Sequence, residues 1–117
     1  MSAQALAALS EANRIRSARA QVKRRVAAEK DGAASRRLAA VHIDHPPEEC
    51  ATMAVVELLT TCRRLGGVGA AKYLRTAQVP PLTPLGRLTQ RQRRSLVAAL
   101  HPPSSWELRM TRVDESP

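Results

Sequence analysis

The residues best suited to chemistry lie in one stretch, Arg63-Arg64-Leu65-Gly66-Gly67-Val68-Gly69, with Lys72 and Arg75 close behind. Glycines let a backbone turn tightly and let a ligand approach with no Cβ in its way. A helix that opens straight after such a turn presents unbonded N–H groups and a partial positive charge, and both favour an anion. The spacing predicts a helix from about Gly69 to Gln78, with Val68 tucked into the core to hold the turn still. Arg63, Arg64, Lys72 and Arg75 would then surround a phosphate site suited to a nucleic-acid backbone, not to base edges. A tight connection between two helices would explain the glycines by itself. The lack of any acid from residue 58 to residue 101 favours the anion site.

Catalytic patterns do not appear. The chain has no HExxH, no DxD, no Walker glycine-lysine pair and no Ser-His-Asp set in a recognisable context. A metal-dependent nuclease would place carboxylates beside its phosphate site, whereas here the acids gather in residues 44–57 and after residue 101. Cys50 and Cys62 stand outside any CxxC pair, which predicts two reduced thiols. His42, His45 and Cys50 lack the paired spacing of a zinc site and adjoin Pro46-Pro47. The expectation is a binding protein and not an enzyme, with no cofactor, no metal and no small-molecule substrate.

Composition says what would be bound. The formal net charge of the 117 residues is +9, and sixteen of the nineteen cations are arginine, whose planar fork suits phosphate. Charge is arranged in blocks: residues 1–40 carry +6, residues 41–62 carry −4, residues 63–101 carry +8 and residues 102–117 carry −1. Two basic blocks around an acidic, apolar one suggest a core helix between two cationic surfaces. With no Phe, one Tyr and one Trp, the chain lacks the stacking platforms of a single-strand binder, so a duplex held by its phosphates is the expected partner. No apolar run reaches membrane-spanning length and no signal-peptide core opens the chain, which predicts a cytoplasmic protein without a membrane partner.

The elements that must position these residues read as helices throughout. Residues 3–30 lack Pro and Gly and are rich in Ala, Arg, Gln and Glu, which predicts one long helix broken at Gly32. Ile15, Ala18, Val22 and Val26 form a narrow apolar stripe along it, with Arg16, Lys23 and Arg24 to one side and Arg19 nearer the stripe. A short second helix is expected over Ser35–Val41, before Pro46-Pro47. Glu48–Arg63 reads as the central helix, with Val55, Leu58, Leu59 and Cys62 at i, i+3, i+4 and i+7. Residues 79–88, with three prolines, predict an ordered turn. A last helix opens at Thr89, with Gln92 at capping-box spacing. Leu96, Val97 and Leu100 are its buried stripe, Arg91 and Arg94 point away, and Arg93 lies at the apolar edge, where it would snorkel. The fold class is all-α, with a basic N-terminal arm over residues 1–45, a binding domain over 46–101 and an irregular tail over 102–117.

Three stretches also resemble a known family, the actinobacterial integration host factors. Ala7 to Arg25 is similar to that family's basic first helix. Met53-Ala54-Val55-Val56-Glu57-Leu58-Leu59, followed by Leu65-Gly66-Gly67-Val68-Gly69, resembles its core helix and hairpin turn. Leu85-Gly86-Arg87-Leu88 with Arg91-Gln92-Arg93-Arg94-Ser95-Leu96 resembles its closing segment. The chain departs from the pattern in a longer spacer around Cys62-Arg63-Arg64 and at Gly66, Tyr73 and Thr89, and its tail lies beyond the pattern. Such departures suit a divergent or phage-borne member. The resemblance implies a helix-two-turn-helix element and weakly specific binding of double-stranded DNA in the nucleoid. It further implies roles in DNA organisation and phage site-specific recombination, with an integrase or recombinase as a second partner. By position, Gly67, Val68, Gly69, Lys72, Arg87 and Arg91 would meet the phosphates. Arg16, Arg19, Lys23, Arg24, Arg63, Arg64, Arg75 and Arg94 join them on charge and helical position. A structured-RNA binder and a protein adaptor remain open beside this reading.

Overall fold

A computed structural model describes residues 2–101, and these form five α-helices with no strand among them. Helix α1 spans Ala3–Ala27 and α2 spans Gly32–Asp44; α3 is the short Val55–Leu59, α4 is Gly66–Ala77 and α5 is Gln90–Leu100. Single 3₁₀ turns lie at Glu48–Cys50 and Leu85–Arg87. The fold is all-α, as its alanine- and leucine-rich, aromatic-poor composition predicts. No described helix is long and apolar enough to cross a membrane. The expected irregular tail, residues 102–117, lies outside the described residues.

Helix α1 begins where Ser2 accepts a hydrogen bond from the Ala5 N–H at 3.1 Å. It stops at Ala27, three residues short of the expected end, because Asp31 is needed in extended backbone to cap α2. The Asp31 carboxylate accepts from the Ala34 N–H at 2.7 Å, and these N–H bonds hold its carboxyl below the usual aspartate range. Gly32 is therefore the first residue of α2 and not a breaker. The stripe on α1 is used only in part: Val22 and Val26 are buried, Ile15 and Ala18 half-buried, and every residue from Ala3 to Arg14 is exposed.

The expected central helix is not continuous. After the 3₁₀ turn the chain extends through Ala54, and α3 makes little more than one turn. The cause is a non-local pairing with the proline-rich segment. Val55 and Val56 donate their N–H groups to the carbonyls of Thr83 and Pro81 at 2.9 and 3.1 Å. In return, Leu85 and Gly86 donate to the carbonyls of Met53 and Ala51, both at 2.9 Å. Pro81 and Pro84 have no N–H to donate, so towards residues 51–56 the segment accepts at Pro81 and Thr83 and donates only beyond them, from Leu85 and Gly86. A Cβ on Gly86 would sit 3.1 Å from the Ala51 carbonyl oxygen, a tight contact that favours glycine at this approach. The apolar face survives the interruption, with Val55, Leu58, Leu59 and Cys62 all buried.

One core joins all of these elements. It runs from Val22 and Val26 through Ile43, Leu58 and Leu59 to Leu74, Leu96 and Leu100. The second helix packs most extensively on α5, α4 packs on α5 and α3, and α1 packs on α2 and the Glu48–Cys50 turn. Residues on both sides of position 45 thus share a single interior. The capping box of α5 forms as its spacing predicts: Thr89 accepts from the Gln92 N–H and Gln92 accepts from the Thr89 N–H.

Candidate nucleic-acid interface

Between α3 and α4 the chain makes two consecutive turns, closed by Cys62 N–H to the Leu59 carbonyl and Leu65 N–H to the Cys62 carbonyl. Arg64 and Gly66 both lie in the left-handed region, at φ of 64° and 67°. Gly66 adopts it without strain, whereas for an L-residue such as Arg64 it costs about 1–2 kcal/mol. Helix α4 then opens at Gly66, three residues before the expected start. Gly66-Gly67-Val68-Gly69 is consequently the first helical turn, not a loop aimed at one.

That shift overturns the expected role of Val68. Its side chain is 86 % exposed, and at i, i+4 and i+7 it shares an outward helix face with Lys72 and Arg75. The turn is held by other groups. Leu65 packs over Gly69, where a Cβ would come within 2.6 Å of the Leu65 Cδ1. Ser35, fully buried, donates its hydroxyl to the Val26 carbonyl at 2.6 Å and accepts the Arg63 N–H at 2.9 Å. One hydroxyl thereby ties α1, α2 and the α3–α4 turn together. Sequence reading gives Ser35 no role, because its two partners lie 9 and 28 positions away.

The start of α4 has no side-chain cap and no acid in its first turn, whereas Ser2, Asp31 and Thr89 cap α1, α2 and α5. Gly67 is exposed, with nothing within 4 Å of where its Cβ would be. Lys72 and Arg75 are exposed, as expected, opposite buried Ala70, Leu74 and Ala77. Gln78 closes α4 in the left-handed conformation, and α5 is pinned to it there. Arg91 donates to the Gln78 Oε1 at 3.1 Å, and the Gln92 amide donates to the Gln78 carbonyl at 3.2 Å. Arg64, Arg87, Arg91 and Arg94 are all exposed. Arg93 does not snorkel as expected: from its place at the apolar edge its guanidinium turns inward, donating to the carbonyls of Ile43, Leu85 (3.0 Å) and Leu88 (3.2 Å), which take the place of water around the charge.

The cations of α1 divide into two sets. Arg19 donates to the Glu49 carbonyl at 2.9 Å and to the Thr52 hydroxyl, and Lys23 pairs with Glu57 at 2.8 Å. Arg14 pairs with Glu11 and Glu49, each at 2.6 Å; the Glu11 carboxylate foremost raises its pKa. Arg14, Arg19 and Lys23 therefore hold α1 onto the acidic segment, while Arg16 and Arg24 remain exposed. Arg63 is exposed but reaches back to the Glu29 carbonyl at 3.3 Å. The structure thus brings Arg64, Gly67, Gly69, Lys72 and Arg75 together around the start and outer face of α4, with Arg87, Arg91 and Arg94 on the neighbouring segment. Arg16 and Arg24 lie on a separate helix. Arg36 and Arg37, beside Leu100 and His101, add cations that sequence reading passes over.

No thiol or metal chemistry is apparent among the described residues. Cys50 and Cys62 are buried and unbridged, and burial pushes the Cys62 thiol up to about 11, far from the range of a nucleophile at neutral pH. No group of three or more His, Cys, Asp or Glu converges on a metal site. Comparison of the chain with models of protein families, with characterised proteins and with solved structures finds no match.

Proposed function

We propose that the protein binds duplex DNA through its phosphates as a nucleoid-associated, integration-host-factor-like protein, using the α3–α4 turn, the outer face of α4 and the adjoining face of α5. The observation that carries this reading is exposed charge of one sign. Arg64, Lys72, Arg75, Arg87, Arg91 and Arg94 are exposed on consecutive elements, and no acid occurs between residues 58 and 101. The open first turn of α4 supports it, since unbonded N–H groups and the positive end of the helix dipole suit a phosphate.

Such contacts position a protein on the duplex without reading bases, so weak sequence preference is expected. About six neutralised phosphates would make log K fall with a slope of about −5 against log salt. Roles in DNA organisation and in recombination, with a recombinase as second partner, enter through the resemblance of the hairpin and closing segments. The test is fluorescence anisotropy of a labelled mixed-sequence duplex at two salt concentrations. Wild type should bind tightly and salt-sensitively, and Lys72→Ala/Arg75→Ala should weaken binding and flatten the slope. Absence of binding at low salt, or tighter binding to a folded RNA than to the duplex, would defeat the reading.

A further inference from the structure

Beside the proposed phosphate site lies a groove of about 460 Å³, lined by Arg64 and Leu65 ahead of α4, by Lys72, Tyr73 and Thr76 on it, and by Ala99 of α5. Its floor is apolar, with Leu65 and Tyr73 half-buried against the core, and Arg64 and Lys72 stand exposed at its rim. No acid lines it, and none of the ion pairs among the described residues engages Arg64 or Lys72. Its volume falls in the range of about 300–1,000 Å³ typical of small-molecule sites. From Leu65 to Thr76 the chain advances roughly 16 Å, so the groove is elongated.

Three properties of the lining select a ligand. Two cations without acidic partners call for an anion, and an arginine fork beside a lysine suits the oxygens of a phosphate. An aromatic ring at an apolar floor calls for a flat group, which gains there beyond the area it buries. Elongation leaves room for a polar spacer between the two. The Thr76 hydroxyl, which donates to the Lys72 carbonyl at 2.9 Å, keeps its lone pairs for a sugar hydroxyl. We infer that the groove binds a nucleoside monophosphate, its phosphate at Arg64 and Lys72 and its base against Tyr73 and Leu65. Tyr73 is the single tyrosine of a chain without phenylalanine, so the groove offers one ring for one base. The ligand is therefore a single nucleotide and not a strand, which needs a series of stacking platforms. Such binding requires no duplex and goes beyond the duplex reading, although the two share Arg64 and Lys72.

The test is isothermal titration calorimetry of the full chain at low salt with AMP, ribose 5-phosphate and adenosine. AMP should bind about tenfold more tightly than ribose 5-phosphate, the gain expected of one stacked base. Tyr73→Leu, which keeps the apolar packing, should erase that advantage, and Tyr73→Phe should keep it. Arg64→Gln/Lys72→Gln should reduce AMP to the affinity of adenosine. Equal affinities for AMP and ribose 5-phosphate in wild type overturn the site without recourse to any variant. An advantage that survives Tyr73→Leu overturns it as well, by placing the base elsewhere. If AMP binds as described and no duplex does, the nucleotide site stands and the duplex reading falls. Duplex binding without a base-dependent gain for AMP does the reverse.

Discussion

Arg64 occupies a backbone conformation that glycine would hold more cheaply, so Arg64→Gly separates stability from binding. At φ of 64° the arginine bears the left-handed cost of about 1–2 kcal/mol. Glycine removes it but loses about 0.5–1 kcal/mol of extra chain entropy on folding. The net expectation is a gain of about 0.5–1 kcal/mol, or roughly 2–8 °C in Tm for a domain of this size. Binding should move the other way, the salt slope shrinking by about 0.9 for one lost phosphate contact. Calorimetry or thermal circular dichroism gives the first quantity, and anisotropy at several salt concentrations gives the second. Arg64→Lys is the control: it keeps both the strain and the charge, so Tm and slope should stay near wild type. A lower Tm for Arg64→Gly would refute the left-handed turn, and an unchanged slope would refute the contact with phosphate.

Gly67→Ala should likewise stabilise, by about 0.5–1 kcal/mol of helix propensity, because nothing lies within 4 Å of the new methyl; duplex affinity should fall as the methyl meets the phosphate, and undiminished affinity would place the duplex elsewhere. Ser35→Ala strands the Val26 carbonyl and the Arg63 N–H, so urea unfolding should show a loss of about 2–3 kcal/mol. Arg93→Met removes three charged hydrogen bonds to carbonyls, for a loss of about 2–4 kcal/mol with no change in salt slope; a reduced slope would put Arg93 on the DNA. Burial, helped by Arg25, holds the His42 imidazole below its ordinary range, so the unfolded chain takes up a proton first as pH falls. Its contribution is intact above about 6.5 and is lost as pH drops through that value toward the lowered folded one. Chemical denaturation from pH 8 to pH 5 should show this decline, and His42→Gln should diminish it.

Local signals are legible in the sequence and non-local ones are not. The Thr89–Gln92 box closes within one helical turn, so its spacing alone predicts it, and the i, i+3, i+4, i+7 face around Val55 is buried as its periodicity implies. The break after Cys50 depends on carbonyls of Pro81 and Thr83, which no window around residue 55 contains. An error of three residues in the start of α4 is enough to misplace Val68, because each residue added to a helix turns the next side chain by about 100°. The cations of α1 can be counted from the sequence but not assigned, since Glu49 and Glu57, which tie Arg14 and Lys23 to the body, lie 35 and 34 positions away. An acidic block without cations of its own, Asp44 to Glu57, is the available sign that a basic helix must cover it.

The division of α1 has a further consequence for reach. From Ala3 to Asn13 the helix carries no cation and only one acid, and all of it stands in solvent. About 16 Å of rod therefore projects from the body as a cation-free, alanine- and leucine-rich spacer. A duplex laid along α1 would meet positive charge only from Arg14 onward, close to the body. On the proposed duplex reading, the span held would be set by the globular part and not by the longest helix.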